Sequence, residues 1–377
     1  MIYADHAATT MLSDKAFNAM LPWLKEDYGN PSQSYSFSRK PKKAVSDARK
    51  IIADCIHADP EEIYFTSGGT ESDNWALKGG TIANGKKGVL LTSAFEHHAV
   101  LRTSQSIQSM GWSVDYVYPN RDGIVMPETL KNKLTPETSM VSIMLANNEL
   151  GTVQPIQFLS EIVRQNGALF HTDGVQAVGH IPVDVNELGI DMLSASAHKF
   201  NGPKGVGFLY IRKGTKIIPL ENGGSQEKGM RAGTENVAGI VGMAVALQEN
   251  VSSIEQSQQH LKELEERLLY RLRDVNYIHH CSGQKHLPGV LSLSFPGYEG
   301  EAILHRMDLM GICISTGSAC DSERTVISHV LQAIDLTEED ARGTIRISLG
   351  AENTKEDIES IADALIRITT RRRSSVV

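Results

Sequence analysis

Residues 63–72 read Ile-Tyr-Phe-Thr-Ser-Gly-Gly-Thr-Glu-Ser. Ile63-Tyr64-Phe65 form a short β-rich run, Gly68-Gly69 break it, and Thr70 opens a helical pattern through Lys78. A strand that turns through paired glycines into a helix leaves free backbone N–H groups at the positive helix end, which is an anion site. An ordinary βα turn has the same composition, so this stretch alone leaves both readings open. It is neither a GxGxxG fingerprint nor a Walker loop, which disfavours a dinucleotide or ATP site.

The strand–helix alternation continues on the C-terminal side. Val89-Leu90-Leu91 is followed by Met140–Leu145, which runs through Pro155 into a helix ending near Gly167. Leu169-Phe170-His171 and Val206–Ile211 are further strands. This order predicts an α/β fold with a mostly parallel central sheet covered by helices on both faces. Ligands in such sheets bind at the carboxyl ends of the strands. Residues 256–273 change character, with Leu261, Leu264, Leu268 and Leu272 at helical spacing among charged residues. This amphipathic helix leads into a smaller α+β domain, where Val290–Phe295 and Thr344–Leu349 alternate like strands. The last helix starts from Thr354 as N-cap, has Glu356 and Asp357 in its first turn, and buries Ile358, Ile361, Leu365 and Ile368. Arg371-Arg372-Arg373 reads as helix-end charge and a frayed tail. The expected division is a large domain over 13–255 and a small one built from 1–12 and 256–377.

Composition narrows the class. The chain has 377 residues, 41% hydrophobic, with 37 Lys+Arg against 45 Asp+Glu and a net charge of −8. Such a balance gives no electrostatic bias toward nucleic acid or an anionic membrane. The apolar runs are short and interrupted, which argues against a membrane span. The first residues open directly into a patterned segment, with no signal-peptide pattern. Four cysteines without CxxC spacing fit a reduced, cytoplasmic protein and make a cysteine-built metal site unexpected.

Several residues then ask for a chemical reading. Lys199 stands in Ser194–Gly205, between an apolar run and a Gly/Pro-rich stretch. A lysine desolvated there becomes nucleophilic and forms Schiff bases. Pyridoxal phosphate needs such a lysine and a carboxylate that keeps its ring nitrogen protonated, and Asp173 at a strand end suits the second role. Singly, Lys199 reads as a surface lysine and Asp173 as a cap. Together with Ser196, His198 and the glycine turn, the cofactor reading is the better one. His97 and His98 follow a strand, where an imidazole can stack on a flat ring or move protons; His98 reads as solvent-exposed. Asn147 and Asn148 read as turn caps on their own. Cys320 ends the small-residue run Gly317-Ser318-Ala319-Cys320, from which a thiolate can attack a substrate. Cys313 and Cys55 read as small buried hydrophobes. Cys281, beside His279 and His280, reads as part of a surface loop, because a fourth metal ligand is missing.

Taken in order, these segments resemble the NifS/IscS-type cysteine desulfurases, fold-type I pyridoxal-phosphate enzymes of the class V aminotransferase family. The resemblance rests on Ala7–Thr10, Gly29–Ser32, Thr66–Ser72, Glu96-His97, Asn147–Gly151, Ser194–Lys199, Arg231–Asn236, Gly317–Cys320 and Ile345–Ser348. It implies a fold-type I transferase whose large domain binds pyridoxal 5'-phosphate and whose small domain carries the catalytic cysteine, Cys320. It implies Lys199 as the covalent anchor, Asp173 against the ring nitrogen, Gln176 at the ring hydroxyl and His97 over the ring. Gly69, Thr70, Ser196 and His198 would hold the phosphate. Thr234 would be lent to the neighbouring subunit's phosphate site, which makes a homodimer. Arg346 would clamp the substrate carboxylate, with Asn148 near cofactor and substrate. The implied reaction turns L-cysteine into L-alanine and leaves sulfane sulfur on Cys320 for a sulfur-acceptor protein. That acceptor would be an iron–sulfur scaffold or a tRNA-thiolation enzyme. No direct nucleic-acid contact, membrane association or metal is expected.

The sequence departs from the family at Asp321-Ser322-Glu323-Arg324, where many relatives have small or hydroxyl residues. It also stops soon after the last helix, without the extension by which longer relatives dock a scaffold. Rival readings are a related lyase acting on cystine or selenocysteine, an aminotransferase of the same fold, and a non-catalytic sulfur carrier. An aminotransferase has no need of the Cys320 thiol, and the presence of Lys199, His97, Asp173 and Arg346 gives no sign of lost catalysis.

Overall fold

The computed structural model describes residues 1–83, 88–317 and 327–370. Their strands, in chain order, are β1 (Ile2–Tyr3), β2 (Ile63–Thr66), β3 (Val89–Ser93), β4 (Ser113–Val117), β5 (Thr138–Ser142) and β6 (Leu169–Asp173). They continue with β7 (Met192–Ser196), β8 (Gly207–Ile211), β9 (Ile278–His279), β10 (Val290–Ser294), β11 (Ile312–Cys313) and β12 (Thr344–Ser348). Seven of these form the central sheet, in the order β2-β8-β7-β6-β5-β3-β4. All neighbours pair in parallel except β8, which runs antiparallel to both β7 and β2. The expected α/β architecture with a mostly parallel sheet is what the chain forms.

The sheet sits between two apolar layers because successive strand residues face opposite sides. Leu91, Val141, Leu193 and Phe208 enter one cluster. Their strand neighbours Leu90, Met140, Met192 and Leu209 enter the other, around Trp75. A third cluster lies apart. The antiparallel sheet β12-β10-β9 packs Leu291, Leu293, Ile345 and Ile347 against Leu264 and Leu268 of the helix Ile254–Arg271 and Ile361 and Leu365 of the helix Lys355–Thr370. Ala4, beyond β1, joins the same cluster, and β1 pairs in parallel with β11.

Element ends follow local chemistry. Thr354 Oγ1 accepts from Asp357 N at 3.2 Å, and Asp357 Oδ2 accepts from Thr354 N at 3.0 Å, a reciprocal cap for the last helix. The helix Ile156–Asn166 stops at Gly167, whose φ of 84° suits glycine. The run expected through Leu145 leaves the ladder earlier: β5 ends at Ser142. Ile143 N and Leu145 N donate to His171 O and Asp173 O, so the chain still tracks along β6.

Two cysteine readings change. Residues 278–281 are not simply a surface loop, since β9 lies on the edge of β10 and His280 is buried, its Nε2 2.5 Å from Ser294 Oγ. Among the described residues no group of three His, Cys, Asp or Glu is placed to hold a metal. Cys55 and Cys313 are half-buried rather than fully buried. Burial, with Asp54, pushes the Cys55 thiol up to about 11, and burial, with Asp122, pushes Cys281 up to about 12, so both stay protonated near neutrality. Among the described residues no single helix is long and apolar enough to cross a membrane. Arg371–Arg373 lie outside the described residues.

Candidate active site

A cavity of about 320 Å³ opens where the parallel strands end, with Gly69, Asp173, Ser196 and Lys199 among its walls. Asp173 is the last residue of β6 and is 4% exposed; its Oδ1 accepts from Val175 N at 2.9 Å. Burial lifts its pKa to about 6, against the opposing pull of that N–H and of the Lys199 charge. Beneath it His171 is fixed from both sides, Nδ1 2.9 Å from Ser142 Oγ and Nε2 2.9 Å from Ser194 Oγ. Asp73 Oδ1 lies 3.6 Å from the same Nε2. Burial raises the pKa of Asp73 and lowers that of His171 to about 3, so burial disfavours the charged form of each. Burial likewise raises Glu96 to about 8, although Ser93 and Met144 N donate to its carboxyl.

Lys199 ends a single turn that follows β7, and its Nζ donates to Ala7 O at 2.6 Å and Ala8 O at 2.8 Å. Gln176 Nε2 donates to Ala7 O at 3.0 Å, and His198 Nδ1 lies 3.1 Å from Thr9 Oγ1. The N-terminal Ala7–Thr10 segment is thereby laid over the site by residues from two strand ends.

The glycine turn has the shape the sequence asks for. Gly68 has φ of 147°, and a Cβ on Gly69 would stand 2.6 Å from Val175 Cγ2. Ser67 N donates to Glu71 Oε2 at 2.8 Å, and Arg231 holds the Glu71 carboxylate with two bonds of 2.8 and 3.0 Å. Thr70, Ser196 and His198 line the same part of the cavity.

His97 caps the helix His98–Ser109: its Nδ1 accepts from Ala99 N at 3.1 Å. In the neutral ring the proton therefore sits on Nε2. Burial, followed by the charges of Lys199, His98 and His329, lowers its pKa to about 4. His98 is not solvent-exposed as expected. It is half-buried, lines the cavity, and its ring centroid stands 4.8 Å from that of His329. Asn147 does cap its turn, since its Oδ1 accepts from Glu149 N and Leu150 N, whereas Asn148 faces the cavity.

Arg346, on β12, closes the opposite wall. Nη1 donates to Asn148 O at 2.8 Å and Nη2 to Asp5 Oδ1 at 2.6 Å. Arg346 Nε and Asn148 Oδ1 are buried without a protein partner. Thr234 is exposed and lies away from this cavity, in a separate depression with Ser67 and Arg231. Cys320 and Asp321–Arg324 lie outside the described residues. The sequence reading had no role for Asp5, Asp73, Glu149 or His329. Glu149 was within a quoted motif; the others carry no local pattern that marks them.

This donor set fits pyridoxal phosphate. A buried carboxylate waits at the floor for a protonated ring nitrogen, and an amine stands beside it for the aldehyde. A glycine-opened helix end suits the phosphate, and two buried polar atoms remain for a polar ligand.

Comparison with known proteins agrees. Residues 2–361 match the family model described as Aminotransferase class-V. A cysteine desulfurase IscS from Dictyoglomus turgidum is 48% identical over 378 residues, which span 99% of this chain and 95% of that protein. One from Clostridium botulinum (strain Hall) is 46% identical over 377 residues at the same coverage. Among solved structures, a NifS-like protein superposes with TM-score 0.92 at 37% identity, covering 97% of this chain and 98% of the other. A structure described as SspA in complex with cysteine gives 0.84 at 34% identity, covering 94% and 100%.

Proposed function

The chain belongs to the aminotransferase class-V family and is a pyridoxal-phosphate-dependent cysteine desulfurase, and on that footing we propose how its residues divide the work. The observation that carries the assignment is one cavity that joins buried Asp173, Lys199, the Gly68-Gly69 turn and Arg346.

When bound, the cofactor withdraws electrons from the substrate Cα and so makes the adjoining bonds labile. Lys199 would anchor it, with Asp173 toward its ring nitrogen and Gln176 toward its ring hydroxyl. Gly69, Thr70, Ser196 and His198 take the phosphate. Arg346 orients the substrate carboxylate, with Asn148 beside it. Lys199 Nζ takes the proton from Cα. His97, kept neutral with its proton on Nε2, would cover the ring, and Lys199 Nζ would hand the proton it took back to the substrate. The Cys320 thiolate attacks the substrate sulfur. The new S–S bond forms as the substrate C–S bond breaks, and that bond's electron pair with a proton completes the alanine methyl group. L-cysteine and a thiol thus become L-alanine and an enzyme persulfide, with no external oxidant or reductant.

Thr234, exposed and outside its own chain's cavity, serves the phosphate site of a second copy in this reading, which makes the enzyme a homodimer. A species of 41.3 kDa at equilibrium in solution would remove that part. The persulfide passes to an acceptor protein of iron–sulfur assembly or tRNA thiolation. A working thiol calls for a reducing compartment, the cytoplasm. The experiment is a spectrum of the purified protein with cofactor, followed by L-cysteine. A cofactor band near the visible edge, lost in Lys199→Ala, with alanine and sulfur formed in step, is expected. A band without alanine would move the substrate to another amino acid.

A further inference from the structure

Asp173 is not the only acid at the cavity floor. Asp73 stands four residues into the helix Gly69–Ala83. It is 1% exposed and lines the same cavity, and its Oδ1 is buried without a hydrogen-bond partner among the described residues. The two carboxyls are served differently. Asp173 accepts the Val175 N–H, and the Lys199 charge favours its ionised form. Asp73 meets burial first, then the charge of Asp173, with Glu96 adding to both, against one hydrogen bond from Ser194. His171, whose Nε2 is 3.6 Å from Asp73 Oδ1, is a base that burial keeps from taking a proton. Two carboxylates in one water-poor pocket do not both ionise, and the proton settles on the one with fewer donors and no cation beside it.

We propose that Asp73 carries the proton of this carboxyl pair and, as a neutral acid, is a positioning residue that leaves Asp173 the charge a protonated ring nitrogen needs. The proposal deepens the cofactor reading above and rests on it. The proton also sets a direction. Neutral Asp73 donates to Ser194 Oγ, Ser194 donates to His171 Nε2 at 2.9 Å, and His171 Nδ1 donates to Ser142 Oγ at 2.9 Å. Ser194 on β7 is the register partner of Asp173, and His171 lies two residues before it on β6. The chain of donors therefore braces both strands at the level of the carboxylate. An ionised Asp73 would instead set two negative charges against one ring nitrogen and drive the proton onto Asp173.

The test uses the full chain with Asp73→Asn and Asp73→Ala. Asparagine is neutral at every pH, nearly isosteric, and its amide donates as the acid does. Each protein is titrated with pyridoxal phosphate. Asp73→Ala is expected to weaken binding by about tenfold, because it leaves the Ser194–His171 chain without its donor. Asp73→Asn should recover most of that loss. Native affinity in Asp73→Ala, or Asp73→Asn as weak as Asp73→Ala, would overturn the proposal. A second readout needs no cofactor: denaturant unfolding of the native chain and Asp73→Asn across about pH 5 to 8. A folded carboxyl with a raised pKa keeps a proton that the unfolded chain, titrating at the ordinary 3.8, has released. The stability of the native chain relative to Asp73→Asn should therefore fall as pH rises, by up to about tenfold in the unfolding equilibrium per pH unit. A flat or rising difference would overturn the neutral acid. A native chain that takes up no pyridoxal phosphate would instead overturn the cofactor reading, while the slope still decides where the proton sits.

Discussion

Arg346 Nη2 lies 2.6 Å from Asp5 Oδ1, a pair made across 341 residues of sequence, while Nε of the same guanidinium is buried without a partner. Asp5 and the Asn148 carbonyl fix the plane of the fork and leave donors for a carboxylate. Arg346→Lys keeps the charge but loses the planar fork, and lysine cannot serve both Asp5 and a bidentate ligand. Its KM for cysteine should rise by about tenfold or more, roughly 1.4 kcal/mol of binding, with the cofactor spectrum intact. An unchanged KM would remove Arg346 from substrate recognition.

Asp173→Asn keeps the size of the floor residue and removes its charge. With the pyridinium partner gone, the cofactor loses its electron-sink character. Alanine formation should fall by about a hundredfold or more, and the cofactor should bind more weakly. Normal kcat in that variant would show that Asp173 acts only as the turn acceptor for Val175 N.

Gly69→Ala tests the phosphate cradle. The added methyl meets Val175 Cγ2 at 2.6 Å, so either the helix start or the Val175 turn must move. Cofactor affinity should drop by about tenfold, measured by titrating the apoenzyme, with little change in the KM for cysteine.

The buried histidine sets a pH trend in stability. Burial pulls the His171 pKa from its ordinary 6.5 down to about 3 in the folded protein. Between those values the unfolded chain binds a proton that the folded chain refuses, so this contribution is present above pH 6.5 and is lost as pH falls toward 3. Its slope is at most about 1.4 kcal/mol per pH unit. Glu96, raised to about 8, acts in the opposite sense over its own range, so the measurement is a difference. The stability of the native protein minus that of His171→Gln should shrink as pH goes from 6.5 to 4, followed by denaturant unfolding. A pH-independent difference would contradict the buried neutral state.

What the sequence made legible is what chemistry writes locally. The Gly68-Gly69 break, the Thr354 cap and the amphipathic helix near 256–273 each depend on neighbours within a few residues, and each appears within about two residues of its expected place. Asp173, Ser196 and His97 were legible because strand ends in a parallel sheet gather at one edge. Pairs made by tertiary packing were not. Asp5 with Arg346, and Asp73 with His171, join distant segments and leave no periodic trace. His98 and His280 were read as exposed because nothing nearby in sequence covers them; His329 and β10 do so in space. Glu149 stood in a recognised motif, but its bond from Ser328 joins segments 179 residues apart and leaves no local trace.

The most direct test of the whole account compares native enzyme with Cys320→Ser in one turnover of L-cysteine, without reductant, while alanine and protein-bound sulfane sulfur are counted. The native enzyme should yield the two in equal amounts, with the sulfur on Cys320. Cys320→Ser should keep the cofactor band and form neither in that time. Alanine released at the native rate by Cys320→Ser would contradict the account, because the sulfur would then leave without the thiol.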